Sequence, residues 1–197
     1  GGAKTHLIVV RDRDLKLTAD NVVASFTGCA GQRCMAASVM VAVGDVDDVL
    51  SAVVERAKKL EPGKTLGPII NKAAVERITR YIDEAEKRGA KVVVDGRGKT
   101  GNAEGYWVGP TINDGVTADM PAWQDEIFGP VLSVVRVKNL DDAIEIENKH
   151  PYGNAACVYT TNGAVADYVT RRVEAGMVGV NVGVPVPREP FGFGGWN

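Results

Sequence analysis

The chain alternates between short apolar blocks and longer stretches in which apolar residues recur every three or four positions. The blocks HLIVV (His6 to Val10), ASVMVAVG (Ala37 to Gly44), KVVVDG (Lys91 to Gly96), VLSVVRV (Val131 to Val137), AACVYTT (Ala155 to Thr161) and MVGVNV (Met177 to Val182) read as strands. YWVGPTI (Tyr106 to Ile112) reads as a further short strand with a Gly-Pro break. VLSVVRV is β-branched and apolar throughout, which predicts a central strand.

The helical stretches fall between these blocks. LTADNVVASFTGCAG is expected to be a helix with Thr18 at its N-cap, carrying its apolar face as far as Cys29. VDDVLSAVVERAKKL follows Asp45 and is stopped by Pro62-Gly63. NKAAVERITRYIDEAEKRGAK is the clearest helix, with Val75, Ile78, Ile82 and Ala85 on one stripe and Gly89 at its stop. LDDAIEIENKH, ending before Pro151, and GAVADYVTRRVEAG complete the set. Strands separated by helices of this length predict a three-layer α/β/α domain with a mostly parallel sheet and helices on both faces. No repeat or interdomain linker divides the chain, so residues 1–197 are expected to form one domain.

Composition narrows the class. Apolar residues make up 45% and charged residues 24% of the chain, as in ordinary globular proteins. With 23 basic and 25 acidic residues the net charge is -2, which gives no electrostatic reason to expect nucleic acid or an anionic membrane. The apolar runs are far shorter than the ~20 residues of a membrane helix. Three cysteines are too few, and odd in number, for a disulfide framework, which favours a reducing compartment. The opening GGAKTHLIVV shows neither a start methionine nor a signal-peptide pattern, and the close FGFGGWN is a glycine-rich turn. The chain is therefore expected to be a piece of a longer polypeptide.

Three places carry candidate chemistry. In TGCAGQRCMA, a C-x4-C spacing with only His6 and His150 elsewhere does not suit zinc, and no metal is expected. Cys29 reads as helix packing. Cys34 stands in a loop beside Arg33, and a neighbouring cation favours the thiolate, so it is either a nucleophile or a small apolar residue. His6 and His150 lie in no recognisable catalytic context and read as structural or surface residues. In QDEIFGPVLSVVRV, Glu126 and Phe128 either bind one ligand together, carboxylate on sugar hydroxyls and ring on a flat heterocycle, or are a solvated glutamate and a core phenylalanine. In NVGVPVPREPFGFGGWN, Phe191 and Phe193 alternate with glycines after a proline-stiffened run, lining a pocket or capping a rigid turn.

GGAKTH, GQRC, LGPIINKAAVERITRYIDEAEKRGAKVVVDG, GYWVGPTI, DEIFGPVLSVVRV and PFGFGG occur in the order seen in aldehyde dehydrogenases, and essentially the whole chain resembles that family's catalytic domain. GQRCMA and the ending NVGVPVP…FGFGGWN are most similar to its (methyl)malonate semialdehyde branch, which is acylating. The resemblance implies an NAD-dependent enzyme in which Cys34 is the nucleophile and coenzyme A is a co-substrate that takes the acyl group. Glu126 would bind the nicotinamide ribose and Phe128 would flank the ring. Arg33 would pair with the substrate's carboxylate and Phe193 would line the substrate pocket. A hydrolytic aldehyde dehydrogenase is the alternative within the family, and a non-catalytic assembly domain the alternative outside it. The family's N-terminal dinucleotide-binding domain and C-terminal oligomerisation tail are not in this chain, so the isolated 197 residues are expected to be inactive. The full protein is expected to be a cytoplasmic homo-oligomer, dimer or tetramer, or to lie in the mitochondrial matrix of a eukaryote.

Overall fold

The computed structural model describes residues 2–196; Gly1 and Asn197, the two ends discussed above, lie outside them. One seven-stranded sheet runs through the molecule. Its strands are β1 (Thr5–Val9), β2 (Ala37–Val43), β3 (Lys91–Val94), β4 (Thr111–Asp114), β5 (Val131–Val137), β6 (Ala155–Tyr159) and β7 (Met177–Val180). They lie in the order β3-β4-β5-β2-β1-β6-β7, and every neighbouring pair is parallel except β3 with β4. The helices are α1 (Leu15–Thr27), α2 (Asp47–Ala57), α3 (Lys72–Lys87), α4 (Pro121–Gln124), α5 (Leu140–Asn148) and α6 (Gly163–Thr170).

Alternation along the strands builds two cores, as the three-layer prediction requires. In β1, Leu7 and Val9 face α1 and α2, packing with Val22, Phe26, Val49 and Val53. Ile8 faces the other way, into a core shared with Ile78 and Ile82 of α3, Ala143 of α5 and Val169 of α6. The stripe on α3 buries Ala74, Ile78, Ile82 and Ala85, with Val75 half-buried beside it. Asn71 caps that helix by accepting from the Ala74 N–H, and Asn139 and Asn162 do the same work for α5 and α6.

Three local expectations are corrected. The N-cap of α1 is Asp14, whose carboxylate accepts the Leu17 N–H at 2.8 Å; Thr18 is buried inside the helix and returns its hydroxyl to the Asp14 carbonyl. An aspartate one turn earlier outcompetes the threonine because it supplies a charged acceptor to orphan helix donors. The strand expected over Tyr106 to Ile112 begins only at Thr111: Gly109-Pro110 interrupts the ladder, and Tyr106 instead bridges to Ile69. Strand β5 lies inside the sheet between β4 and β2, as its β-branched run predicts. Helix α1 stops at Thr27, so the apolar face does not reach Cys29.

The parallel arrangement gives the sheet two chemically different rims. Beyond the carboxyl ends of the strands, Arg136 pairs with Asp114 and Asp47, and Asp12 accepts from the Thr160 hydroxyl. The loops that enter the amino ends of β5, β2, β1 and β6 contain Glu126, Cys34, Lys4 and Asn154 in that spatial order. At about 4.8 Å per strand the four entries span roughly 14 Å. Ligands of open α/β sheets ordinarily sit at the carboxyl rim; here the chemical residues gather at the amino rim.

Candidate active site

After Thr27 the chain leaves α1 through a single 3-10 turn, Gly28–Gly31, in which Cys29 and Ala30 both adopt left-handed backbone (φ 53° each). This reversal throws Cys29 outward, so it is exposed and not packed as its helical spacing suggested. Cys34 is exposed too. Its backbone N–H has no hydrogen-bond partner among the described residues. Cys157 is buried in β6, and burial, with Glu147 nearby, pushes its thiol up to about 12.

Gln32 explains one letter of the GQRC motif. Its amide nitrogen donates to the Pro68 carbonyl (3.0 Å) and its oxygen accepts from the Ile70 N–H (3.0 Å), so the thiol loop is clamped to the segment before α3. Gly31 explains another. It has φ +69°, and a β-carbon there would sit 2.0 Å from the Gly129 carbonyl oxygen. The glycines of GQRC and EIFGP therefore meet, backbone on backbone, and Gly129 in turn rests on Ile78 of α3.

That contact brings the second motif beside the first. Arg33, Glu126 and Phe128 line one narrow cleft with Ala3, Gly31 and Ser38. The Glu126 carboxylate is partly exposed and makes no hydrogen bond or ion pair among the described residues. Phe128 holds its ring out at 36% exposure on left-handed backbone (φ 55°). A free acceptor and an uncovered flat ring on one short loop fit a ribose and a planar heterocycle, so the residues present suit a nicotinamide cofactor. Phe128 also borders a hollow of about 460 Å³ with Cys29, Gln32, Pro68 and Ile70. A larger hollow of about 600 Å³ lies on the outward face of α3 among Val75, Thr79 and Asp83, where no nucleophile or unpaired buried group converges.

Arg33 sits differently from a freely extended side chain. Its NH2 donates to the Ala24 (3.1 Å) and Ser25 (3.0 Å) carbonyls, lying over Gly28 at the C-terminal end of α1. A cation there complements the helix dipole. Among the described residues its NH1 makes no hydrogen bond, and its buried Nε has no partner. Phe193 is 60% exposed, in a segment fastened by Trp196 N–H to the Gly153 carbonyl at 2.9 Å.

Sequence reasoning passed over a polar cluster beneath these loops. Lys4 is fully buried, and its Nζ donates to the Ala122 (2.8 Å) and Asp125 (2.7 Å) carbonyls. Burial pushes its pKa down to about 7, against the opposing pull of Asp125 and Glu126. His6 lies 2.5 Å from Glu147, both buried. His150 accepts the Tyr152 N–H at Nδ1 and donates from Nε2 to the Trp123 carbonyl, which fixes the neutral Nε2–H tautomer. With both ring nitrogens of His150 committed and His6 sealed against Glu147, neither histidine is placed as a general base for Cys34. A cysteine-hydrolase dyad is thereby disfavoured. No cluster of metal-ligating side chains occurs among the described residues, and no helix of theirs is long and apolar enough to cross a membrane.

A mostly parallel sheet with an exposed, loop-borne cysteine on one amino-rim loop and an unpaired carboxylate and uncovered ring on the next is the setting of one family: the chain belongs to the aldehyde dehydrogenase family, whose model matches residues 1–197. Among its relatives is malonate-semialdehyde dehydrogenase 1 of Geobacillus thermodenitrificans, 48% identical over 203 residues that cover 99% of this chain and 42% of that protein. Among solved structures, a putative methylmalonate-semialdehyde dehydrogenase from Sinorhizobium meliloti complexed with NAD superposes with a TM-score of 0.96 at 41% identity, covering 100% of this chain and 42% of the other. The methylmalonate-semialdehyde dehydrogenase of Oceanimonas doudoroffii gives 0.95 at 41% identity, with the same coverage. The chain thus spans about two fifths of the length of the curated relatives it matches.

Proposed function

We propose that this chain is the thiol-bearing catalytic domain of an NAD-dependent, coenzyme A-acylating (methyl)malonate semialdehyde dehydrogenase. The observation that carries the reading is the meeting of the Cys34 loop and the Glu126–Phe128 loop through Gly31 and Gly129. It is supported by the 48% identity to a malonate-semialdehyde dehydrogenase.

The Cys34 thiolate adds to the aldehyde carbon, and the carbonyl's π pair moves to oxygen. The unpaired Cys34 N–H is positioned on the same residue to donate to that oxyanion. NAD, when bound, supplies the hydride acceptor. Glu126 would accept hydrogen bonds from the ribose hydroxyls, and Phe128 would pack on the nicotinamide ring. Collapse of the oxyanion expels hydride and leaves a thioester on Cys34. The substrate's carboxylate departs as carbon dioxide, the C–C bonding pair passing into the thioester enolate, whose α-carbon takes up a proton from solvent; the coenzyme A thiol, its proton lost to solvent, displaces the Cys34 sulfur as thiolate, giving propionyl- or acetyl-CoA. Arg33 holds that carboxylate before it leaves, through the NH1 that the α1 contact leaves free. Phe193 covers the substrate from the C-terminal segment. The enzyme acts as a homo-oligomer, dimer or tetramer, in the cytoplasm or, in a eukaryote, the mitochondrial matrix.

The test uses the full-length enzyme carrying this chain, with methylmalonate semialdehyde and NAD. Acyl-CoA and NADH are expected to form together, and only with coenzyme A present. Arg33→Ala is expected to lower kcat/KM on the semialdehyde by about 10- to 100-fold, the worth of a charged hydrogen bond, while changing propanal by less than about threefold. Release of free acid at full rate without coenzyme A would establish the hydrolytic alternative, and equal losses on both aldehydes would remove Arg33 from the substrate site.

A further inference from the structure

We infer that Asn154 is a positioning residue, which orients the nucleophile by holding its backbone carbonyl and ties it, through Lys4, to the cofactor loop. The inference rests on the reading of Cys34 as nucleophile and goes beyond it by assigning a role to a residue that touches neither substrate nor cofactor in that scheme.

Asn154 enters β6 at the amino rim, level with the residue before β1. Its amide nitrogen donates to the Cys34 carbonyl at 3.1 Å, with Thr5 Oγ1 at 3.4 Å and Met35 Sδ at 3.6 Å beside it. Its oxygen accepts the Lys4 N–H at 3.3 Å. One side chain thus uses both ends of its amide, one on the nucleophile and one on Lys4, the residue before β1. Among side chains of this size only an amide both donates and accepts at fixed, separated atoms.

The Cys34 carbonyl matters because it fixes ψ of that residue. With the carbonyl held and ψ set, the Cα–N and Cα–Cβ bonds that carry the N–H and the thiol start from a held position. The N–H is the donor an oxyanion needs, and a misplacement of about 1 Å in such a site costs on the order of 100-fold in rate.

Lys4 carries the same constraint further. Its N–H meets Asn154, and its Nζ bonds the carbonyls of Ala122 and Asp125, the residue before Glu126. An ammonium group buried so completely is costly to keep, and a methionine of similar length fills the space without that cost. What methionine cannot do is hold two carbonyls at once. The path from Cys34 carbonyl to Asn154 to Lys4 to the Asp125 carbonyl therefore sets the distance between the thiol and the ribose-binding carboxylate. It joins the entries of four neighbouring strands, β2, β6, β1 and β5.

The test is made in the full-length enzyme. Asn154→Asp keeps the shape and the bond from Lys4 N–H but removes the donor to Cys34. It is expected to lower kcat by about 10- to 100-fold with KM for NAD within about threefold of the parent and the thermal midpoint within a few degrees. The second-order rate of Cys34 alkylation by iodoacetamide is expected to fall by about threefold or more. Asn154→Ser serves if the aspartate variant does not fold, since a hydroxyl is too short to span Cys34 and Lys4, and the same losses are expected. Wild-type kcat and alkylation in a folded variant of either kind would overturn the inference. If the parent itself makes no NADH from semialdehydes, the substrate assignment fails, and the alkylation comparison still decides the role of Asn154.

Discussion

Gly31→Ala tests the contact on which the site depends. Two costs arise, and they can be separated. Alanine in left-handed backbone, at φ +69°, costs about 1–2 kcal/mol. The new β-carbon would also sit 2.0 Å from the Gly129 carbonyl oxygen, well inside contact distance, and that oxygen is backbone and cannot swing aside. The loops must part by about 1 Å, a form of overpacking worth about 1–3 kcal/mol. Together the loss is about 2–5 kcal/mol, a large share of the 5–15 kcal/mol typical of a domain. Gly44→Ala is the control: it has φ +66°, and its nearest neighbour, the Lys138 carbonyl, is 4.0 Å away. That variant meets only the backbone cost, about 1–2 kcal/mol. Urea unfolding measures both, and NADH production by the full-length enzyme measures the consequence at the site. Gly31→Ala is expected to unfold more easily than Gly44→Ala by about 1–3 kcal/mol and to lose about 100-fold in kcat, with Gly44→Ala near wild type in rate. Equal stabilities for the two variants, or full activity in Gly31→Ala, would refute the claim that the two motifs are held together at this point.

Two further outcomes follow from the buried groups. Burial, then the neighbouring His6, pushes His150 from 6.5 down to about 4, so the unfolded chain binds a proton that the folded chain refuses; stability is intact above pH 6.5 and falls between pH 6.5 and 4. Full enclosure would make this about 3 kcal/mol, and screening from the nearby surface reduces it to about 2 kcal/mol; urea midpoints across that range are expected to follow it, and His150→Asn to flatten it, whereas an unchanged slope would contradict the assignment. Iodoacetamide at pH 7.5 is expected to label Cys34 first and Cys29 more slowly, with Cys157 reacting only on unfolding; Cys29→Ser keeps activity and Cys34→Ser abolishes it, and native labelling of Cys157 would show that the sheet opens more readily than its burial implies.

The layers were legible because they follow from local periodicity: the stripe of Ile78 and Ile82 and the alternation of Leu7, Ile8 and Val9 each name a face without reference to distant residues. Extrapolating the same periodicity misled at Cys29, where Gly28 ends the helix and two left-handed residues reverse the chain. The antiparallel β3 edge depends on strand order, which no local pattern encodes. Cys34, Glu126 and Phe128 were visible as motifs, while Lys4 and Asn154 were not. A lysine in a polar lead-in and an asparagine after a glycine look like surface residues. Their partners are 118 and 120 positions away, at Ala122 and Cys34, and only the parallel registry of β1, β2 and β6 brings them together.

The two rims of the sheet also divide the molecule for selection. Turns at the carboxyl ends, such as Gly44 to Val46 and Lys138 to Asn139, can change length or charge without passing a displacement to the thiol, because the strands between them are stiff and their pairing is already fixed. Adaptation to heat or salt then has its own address in the chain, around Arg136 and Asp12, and adaptation to a new aldehyde has another, around Cys34 and Asn154. A library confined to one rim is expected to move one property and leave the other where it was.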